Sequence, residues 1–146
     1  MRRLLYIIPV FLLLTSCMKT KDANPTPFNV PNGNFSGKFW TLHKNATTGK
    51  YDTTKKANLQ LYISTSSGYK VTGDTATVHA GSYGDFAMDP NYIQFIDKTV
   101  AAGTGVVANK VHLNGVYQYY FDGSVVFQLQ QAYSDTLVYQ YDFRKQ

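Results

Sequence analysis

GVYQYYFDGSVVFQLQQAYSDTLVYQYDFRK, residues 115–145, decides the fold class. Val125, Phe127 and Leu129 alternate with Val126, Gln128 and Gln130, and Leu137, Tyr139, Tyr141 and Phe143 alternate with Val138, Gln140 and Asp142. A period of two sends successive side chains to opposite faces, so these runs are half-buried strands. Asp122-Gly123 is a two-residue hairpin signal of the type I′ kind, whose twist matches that of its flanking strands. It predicts Tyr120 opposite Val125, Gln118 opposite Phe127 and Val116 opposite Leu129. A three-residue loop, Tyr133-Ser134-Asp135, then sets Leu129 against Tyr139, Phe127 against Tyr141 and Val125 against Phe143. That register keeps the apolar side chains on one face, which a slip of one residue would undo.

The same alternation recurs upstream, where Leu59, Leu61 and Ile63 interleave with Asn58, Gln60 and Tyr62. Turn residues at Ser66-Ser67-Gly68, Gly73-Asp74, Asp89-Pro90-Asn91 and Ser134-Asp135 punctuate the chain. The spacing predicts about eight strands, near 35–44, 57–65, 68–73, 75–80, 83–88, 92–97, 115–121 and 124–132, with 136–144 a ninth if 75–80 and 83–88 are separate. All nine acidic residues are aspartate. The lack of glutamate removes a good helix former and every site that needs one, including the HExxH metal helix. An antiparallel meander with no helix to cover it must close on itself or stack two sheets. The fold class is therefore all-β, an up-and-down barrel, with a β-sandwich as the alternative.

The N-terminus is of another kind. Met1-Arg2-Arg3 precedes an apolar stretch from Leu4 to Leu14, too short for a membrane-spanning helix of ~20 residues and suited to an export signal. Leu14-Thr15-Ser16-Cys17 resembles the lipobox of bacterial lipoproteins. The resemblance implies a signal peptide over residues 1–16, cleavage after Ser16, and acylation of Cys17, which then partners the membrane. Met18, where an aspartate would signal inner-membrane retention, implies the outer membrane. Lys19-Thr20-Lys21-Asp22 matches an acidic surface-export tract only in part, so the periplasmic and outer sides both stay open. Cys17 is the one cysteine, so it has no disulfide partner within the chain. Pro25, Pro27 and Pro31 predict an extended tether over residues 17–32, and the β domain occupies 33–146.

Asn34-Phe35-Ser36-Gly37-Lys38-Phe39-Trp40, together with the terminal Tyr141-Asp142-Phe143-Arg144, resembles the lipocalin-like (calycin) barrels. Their first strand carries Gly-x-Trp, and their last often supplies a basic residue packed on that tryptophan. The resemblance implies a closed barrel and a contact between Trp40 and Arg144. The spacing here is Gly-x-x-Trp, so a bulge is needed to bring Gly37 and Trp40 to one face.

Residues that carry chemistry are sparse. His43, His79 and His112 lie on separate segments without metal-ligand spacing and read as surface histidines, so no metal is expected. No serine sits in a Gly-x-Ser-x-Gly elbow. Asp85, Asp89 and Asp97 include no evident catalytic pair, and Gly103-Thr104-Gly105 lacks the lysine of a phosphate loop. The net charge of +5 falls to +3 once Arg2 and Arg3 leave with the signal peptide. No basic cluster exceeds the length of Lys55-Lys56, which excludes a nucleic-acid footprint. Neither an enzyme nor a cofactor is expected.

Tyrosine is abundant, with twelve residues. In the register above, Tyr120, Tyr139 and Tyr141 share a face with Phe127, and an aromatic body with a hydroxyl tip suits a cavity for a partly apolar molecule. These four residues and Trp40 are the ligand-binding candidates. The expected function is a lipid-anchored envelope binding protein for a small apolar or amphipathic ligand. The alternative is a β-sandwich accessory lipoprotein that engages a glycan or a partner protein through exposed aromatics. Tyr117, Tyr119, Phe121 and Val126 would then form the outer patch.

Overall fold

A computed structural model describes residues 28–100 and 110–146; the lipobox, Cys17, most of the tether and the Gly103–Gly105 stretch lie outside the described residues. Eight strands follow one another: β1 Gly33–Lys44, β2 Tyr51–Ser64, β3 Gly68–Gly73, β4 Ser82–Met88, β5 Tyr92–Asp97, β6 Gly115–Phe121, β7 Val126–Ala132 and β8 Leu137–Lys145. Each pairs antiparallel with the next, and β8 returns to pair with β1 from Phe35↔Lys145 to His43↔Leu137. The sheet is a closed up-and-down barrel, which sets the sandwich aside and is compatible with a lipocalin-like architecture.

Alternation fills the interior. Phe35, Phe39, Leu59, Leu61, Ile63, Val71, Ile93, Phe95, Tyr117, Phe127, Leu129, Tyr141 and Phe143 all point inward and are buried. Each such side chain contributes roughly 1.5–3 kcal/mol on leaving water. The outward positions carry Lys38, Lys56, Lys70, Gln94, Gln118 and Gln130, all exposed. Tyr62, Tyr83, Ile96, Val116 and Tyr120 are exposed on the same face, so the outer wall is mixed and not the continuous apolar band of a membrane-spanning barrel.

Barrel closure depends on Gly37. It pairs with Phe143 at the β1–β8 seam, where a Cβ would collide with the Asp142 carbonyl oxygen and lie 2.7 Å from the Phe143 Cα. Phe39, two residues on, shares the inward face. The β1–β2 register shift falls between Thr41 and Leu42, beyond Trp40, so no bulge brings Trp40 inside. Trp40 lies half-buried on the outer wall opposite Gln140, whereas Arg144 pairs with Ser36 in the register and bonds Asp142 and the Phe143 carbonyl. The expected Trp40–Arg144 packing is replaced by Phe39 in the core.

The hairpin registers differ from expectation in an instructive way. Gly123 has φ 84° and no non-glycine among the described residues, Asp122 included, has positive φ, so Asp122 does not enter a type I′ turn. Its carboxylate instead accepts the backbone N–H groups of Ser124, Val125 and Val126 at 2.8, 2.7 and 3.0 Å. The longer connection pairs Phe121 with Phe127 and Tyr119 with Leu129. Relative to the expected register this is a displacement of three, an odd number, and it turns β6 over: Tyr117, Tyr119 and Phe121 face inward and Tyr120 faces out. At the β7–β8 hairpin the displacement is two, with Phe127 opposite Phe143 and Leu129 opposite Tyr141. An even slip keeps every side chain on its face.

Residues 75–80 form no strand; they fold over one end of the barrel. His79 makes a parallel bridge with Val111, Ala80 N–H donates to the Val111 carbonyl at 2.8 Å and Val111 N–H to Val78 at 3.0 Å. Leu113, wholly buried, completes this plug.

Candidate functional site

Inside the plugged end the core is polar. The His79 Nδ1 lies 2.6 Å from the Ala80 carbonyl, which only accepts, so Nδ1 carries the proton. Nε2 is then the acceptor for the Tyr141 hydroxyl at 2.9 Å. Burial pushes the His79 pKa down to about 4, so the imidazole is neutral. Tyr69 donates to the Leu113 carbonyl at 2.6 Å. Burial also holds the Tyr69, Tyr117 and Tyr141 phenols above the usual tyrosine range. These groups are packed among aromatic rings, with Phe39 5.0 Å from His79 and 4.8 Å from Tyr141 between centroids, and they stitch the plug to the barrel. His79 is thus a core residue and not a surface one. His112 is half-buried, its Nδ1 2.7 Å from the buried Asp97 carboxylate, and His43 is exposed.

At the other end the described residues leave a groove. There the entering chain crosses the barrel rim: Asn29 lies against Gly123 of the β6–β7 turn, while Phe28 and Val30 face a groove of about 610 Å³. Phe28, Val30, Phe86 and Met88 make its apolar wall, and the 65–68 turn with Asp85 makes its polar rim. Phe86 and Met88 are there because β4 alternates: Ser82, Gly84, Phe86 and Met88 turn inward while Tyr83, Asp85 and Ala87 turn out. Beneath them Phe86 meets Phe95 at 6.5 Å, and Phe95 meets Tyr69 at 4.8 Å, so the floor is solid aromatic packing. A groove of this size and lining suits a small molecule with an apolar portion.

The five sequence candidates do not converge on one cavity. Tyr141 and Phe127 are wholly buried core residues. Tyr139 is half-buried beside Phe39 and Tyr133. Tyr120 is 57% exposed on the outer wall, and Trp40 lies on that wall too. The sequence does not single out Phe86 and Met88 because the other four residues of 83–88 are Tyr, Gly, Asp and Ala, which give no apolar period; the inward parity of Gly84 is the available signal. The aspartates are each engaged: Asp85 with Lys98 at 2.8 Å, Asp89 with the N–H groups of Asn91 and Tyr92, and Asp97 with His112 and Thr99. Among the described residues no three His, Cys, Asp or Glu side chains gather as a metal site would require.

No protein-family model, no curated protein and no solved structure matches the chain.

Proposed function

We propose that this chain is a lipid-anchored, non-enzymatic binding protein of the bacterial outer membrane that takes the apolar part of a small amphipathic molecule at the mouth of its barrel. The observation that carries the reading is the apolar wall of Phe28, Val30, Phe86 and Met88 at the barrel end opposite the plug. Ser66 and Ser67 on the rim offer hydroxyls to a polar head. The packed interior limits the ligand to the mouth, so a long chain would lie across it and not thread the barrel.

The anchor suits that geometry. Ten residues lie between Cys17 and Phe28, a reach of at most ~40 Å when extended, and Phe28 enters at the mouth. A protein held through Cys17 would therefore present its mouth toward the bilayer that supplies amphipathic molecules.

Titration of the full chain with a dansyl-labelled fatty acid tests the groove. Saturable emission enhancement is expected, with binding weakened by Phe28→Asp and Met88→Lys while the strand signal in circular dichroism persists. An enhancement that never saturates, or that both variants leave untouched, rules the mouth out. Separately, Cys17→Ser is expected to release the protein from membranes washed in alkaline carbonate, and retention would remove the anchor.

A further inference from the structure

The outer wall holds a second arrangement, unrelated to the mouth. The register aligns Gln118 with Gln130, Gln130 with Gln140, Gln140 with Trp40 and Trp40 with Lys56 across five successive strands. Beside this row runs another, in which Tyr120 opposes Gln128, Gln128 opposes Asp142 and Asp142 opposes Lys38. Neighbouring strands lie ~4.8 Å apart, so Gln118, Gln130, Gln140 and Trp40 form a line ~14 Å long.

Two furrows mark its ends. One, of about 330 Å³, lies over Gln118, Tyr120, Gln128, Gln130 and Gln140. The other, of about 360 Å³, surrounds Trp40 with Lys38, Lys56, Asn58 and Asp74. Gln128 is committed to Asp142 at 3.3 Å, and Asp142 is also held by Arg144. The Gln118, Gln130 and Gln140 amides have no hydrogen-bond partner among the described residues.

Each free amide offers a carbonyl acceptor and two N–H donors, the pairing that adjacent hydroxyls of a sugar ring require. An aromatic ring presents an electron-rich face, on which the polarised C–H face of a pyranose stacks. The line itself carries no charge before Lys56, which disfavours a polyanion, and it lacks the apolar centre of a protein interface. We propose that the β6–β7–β8–β1 outer wall binds a neutral oligosaccharide, laid along the glutamine row between Tyr120 and Trp40.

Trp40 is the only tryptophan in the chain, so its emission reports on this wall directly. The full chain, kept in a detergent without sugar groups, is titrated with neutral tetrasaccharides of glucose, xylose and mannose. The expected result is a saturable change in tryptophan emission with at least one of them. Gln130→Ala is expected to weaken binding about fivefold, from one lost amide contact, and Tyr120→Ala about tenfold, from one lost stack, both residues being exposed. Met88→Lys, at the mouth, is expected to leave the sugar titration unchanged. Absence of a saturable response to every neutral sugar overturns the proposal, as does binding that only charged glycans show or that Gln130→Ala and Tyr120→Ala leave intact.

Discussion

Acidification should destabilise this barrel through the His79 side chain. His79 is wholly buried and neutral, its Nδ1–H given to Ala80 and its Nε2 lone pair to the Tyr141 hydroxyl. Protonation of Nε2 removes that acceptor and leaves a charge against Phe39, Tyr141 and the apolar plug. The His112 imidazole nearby would add repulsion, which Asp97 offsets only in part. The folded-state pKa of about 4 stands below the ordinary histidine value of 6.5, so the unfolded chain binds the proton more readily. Stability from this group is complete above pH 6.5 and is lost as pH falls toward 4. Linkage between the two values gives a loss of about 2 kcal/mol at pH 5 and about 3 kcal/mol at pH 4. The assay is urea unfolding of the wild type and of His79→Gln at intervals from pH 8 to pH 4. The variant lacks the titrating ring, so the wild-type free energy should fall more steeply by those amounts. Parallel curves for the two proteins would falsify the assignment of a neutral, buried His79.

Other expectations follow from the packing. Gly37→Ala should cost at least about 3 kcal/mol or prevent folding, because the β1 and β8 backbones leave no room for a Cβ at the seam; an unchanged urea midpoint would sink the closure argument. Gly123→Ala should cost about 1 kcal/mol through its left-handed backbone, and Asp122→Ala should lower the midpoint as well by freeing three N–H groups, with retention of the midpoint in both variants counting against the turn described. The buried Tyr117 hydroxyl has no well-formed hydrogen bond among the described residues, so Tyr117→Phe should raise stability by up to about 1 kcal/mol, whereas Tyr141→Phe should lower it by about 1–2 kcal/mol by orphaning His79 Nε2. Equal effects of the two substitutions in thermal unfolding would contradict the hydrogen bond between Tyr141 and His79.

The hairpin slips explain why the site candidates scattered. Between β7 and β8 the displacement was even, and Phe127, Leu129, Tyr139, Tyr141 and Phe143 stayed on the inward face as alternation requires. Between β6 and β7 it was odd, because Asp122 spends its carboxylate on three amides and lengthens the turn. Tyr120 consequently went out and Tyr117 came in. Asp-Gly favours both a tight turn and a longer capped one, and only the fit of Tyr117 and Tyr119 against the aromatic core chooses between them.

Alternating apolar residues, turn signals and the absence of glutamate suffice to determine an all-β chain of about eight antiparallel strands, since the period of two is a local property of the backbone. The lipobox resemblance at Leu14 to Cys17 is likewise wholly sequential. Closure of β8 on β1, the burial of His79 beneath a plug and the mouth at Phe28 and Met88 belong to the tertiary structure alone. Each depends on which strands meet across distances the chain pattern does not encode. The same holds for the line of Gln118, Gln130, Gln140 and Trp40 on the outer wall, because its members lie on four strands and Trp40 joins the glutamines only where β8 closes on β1.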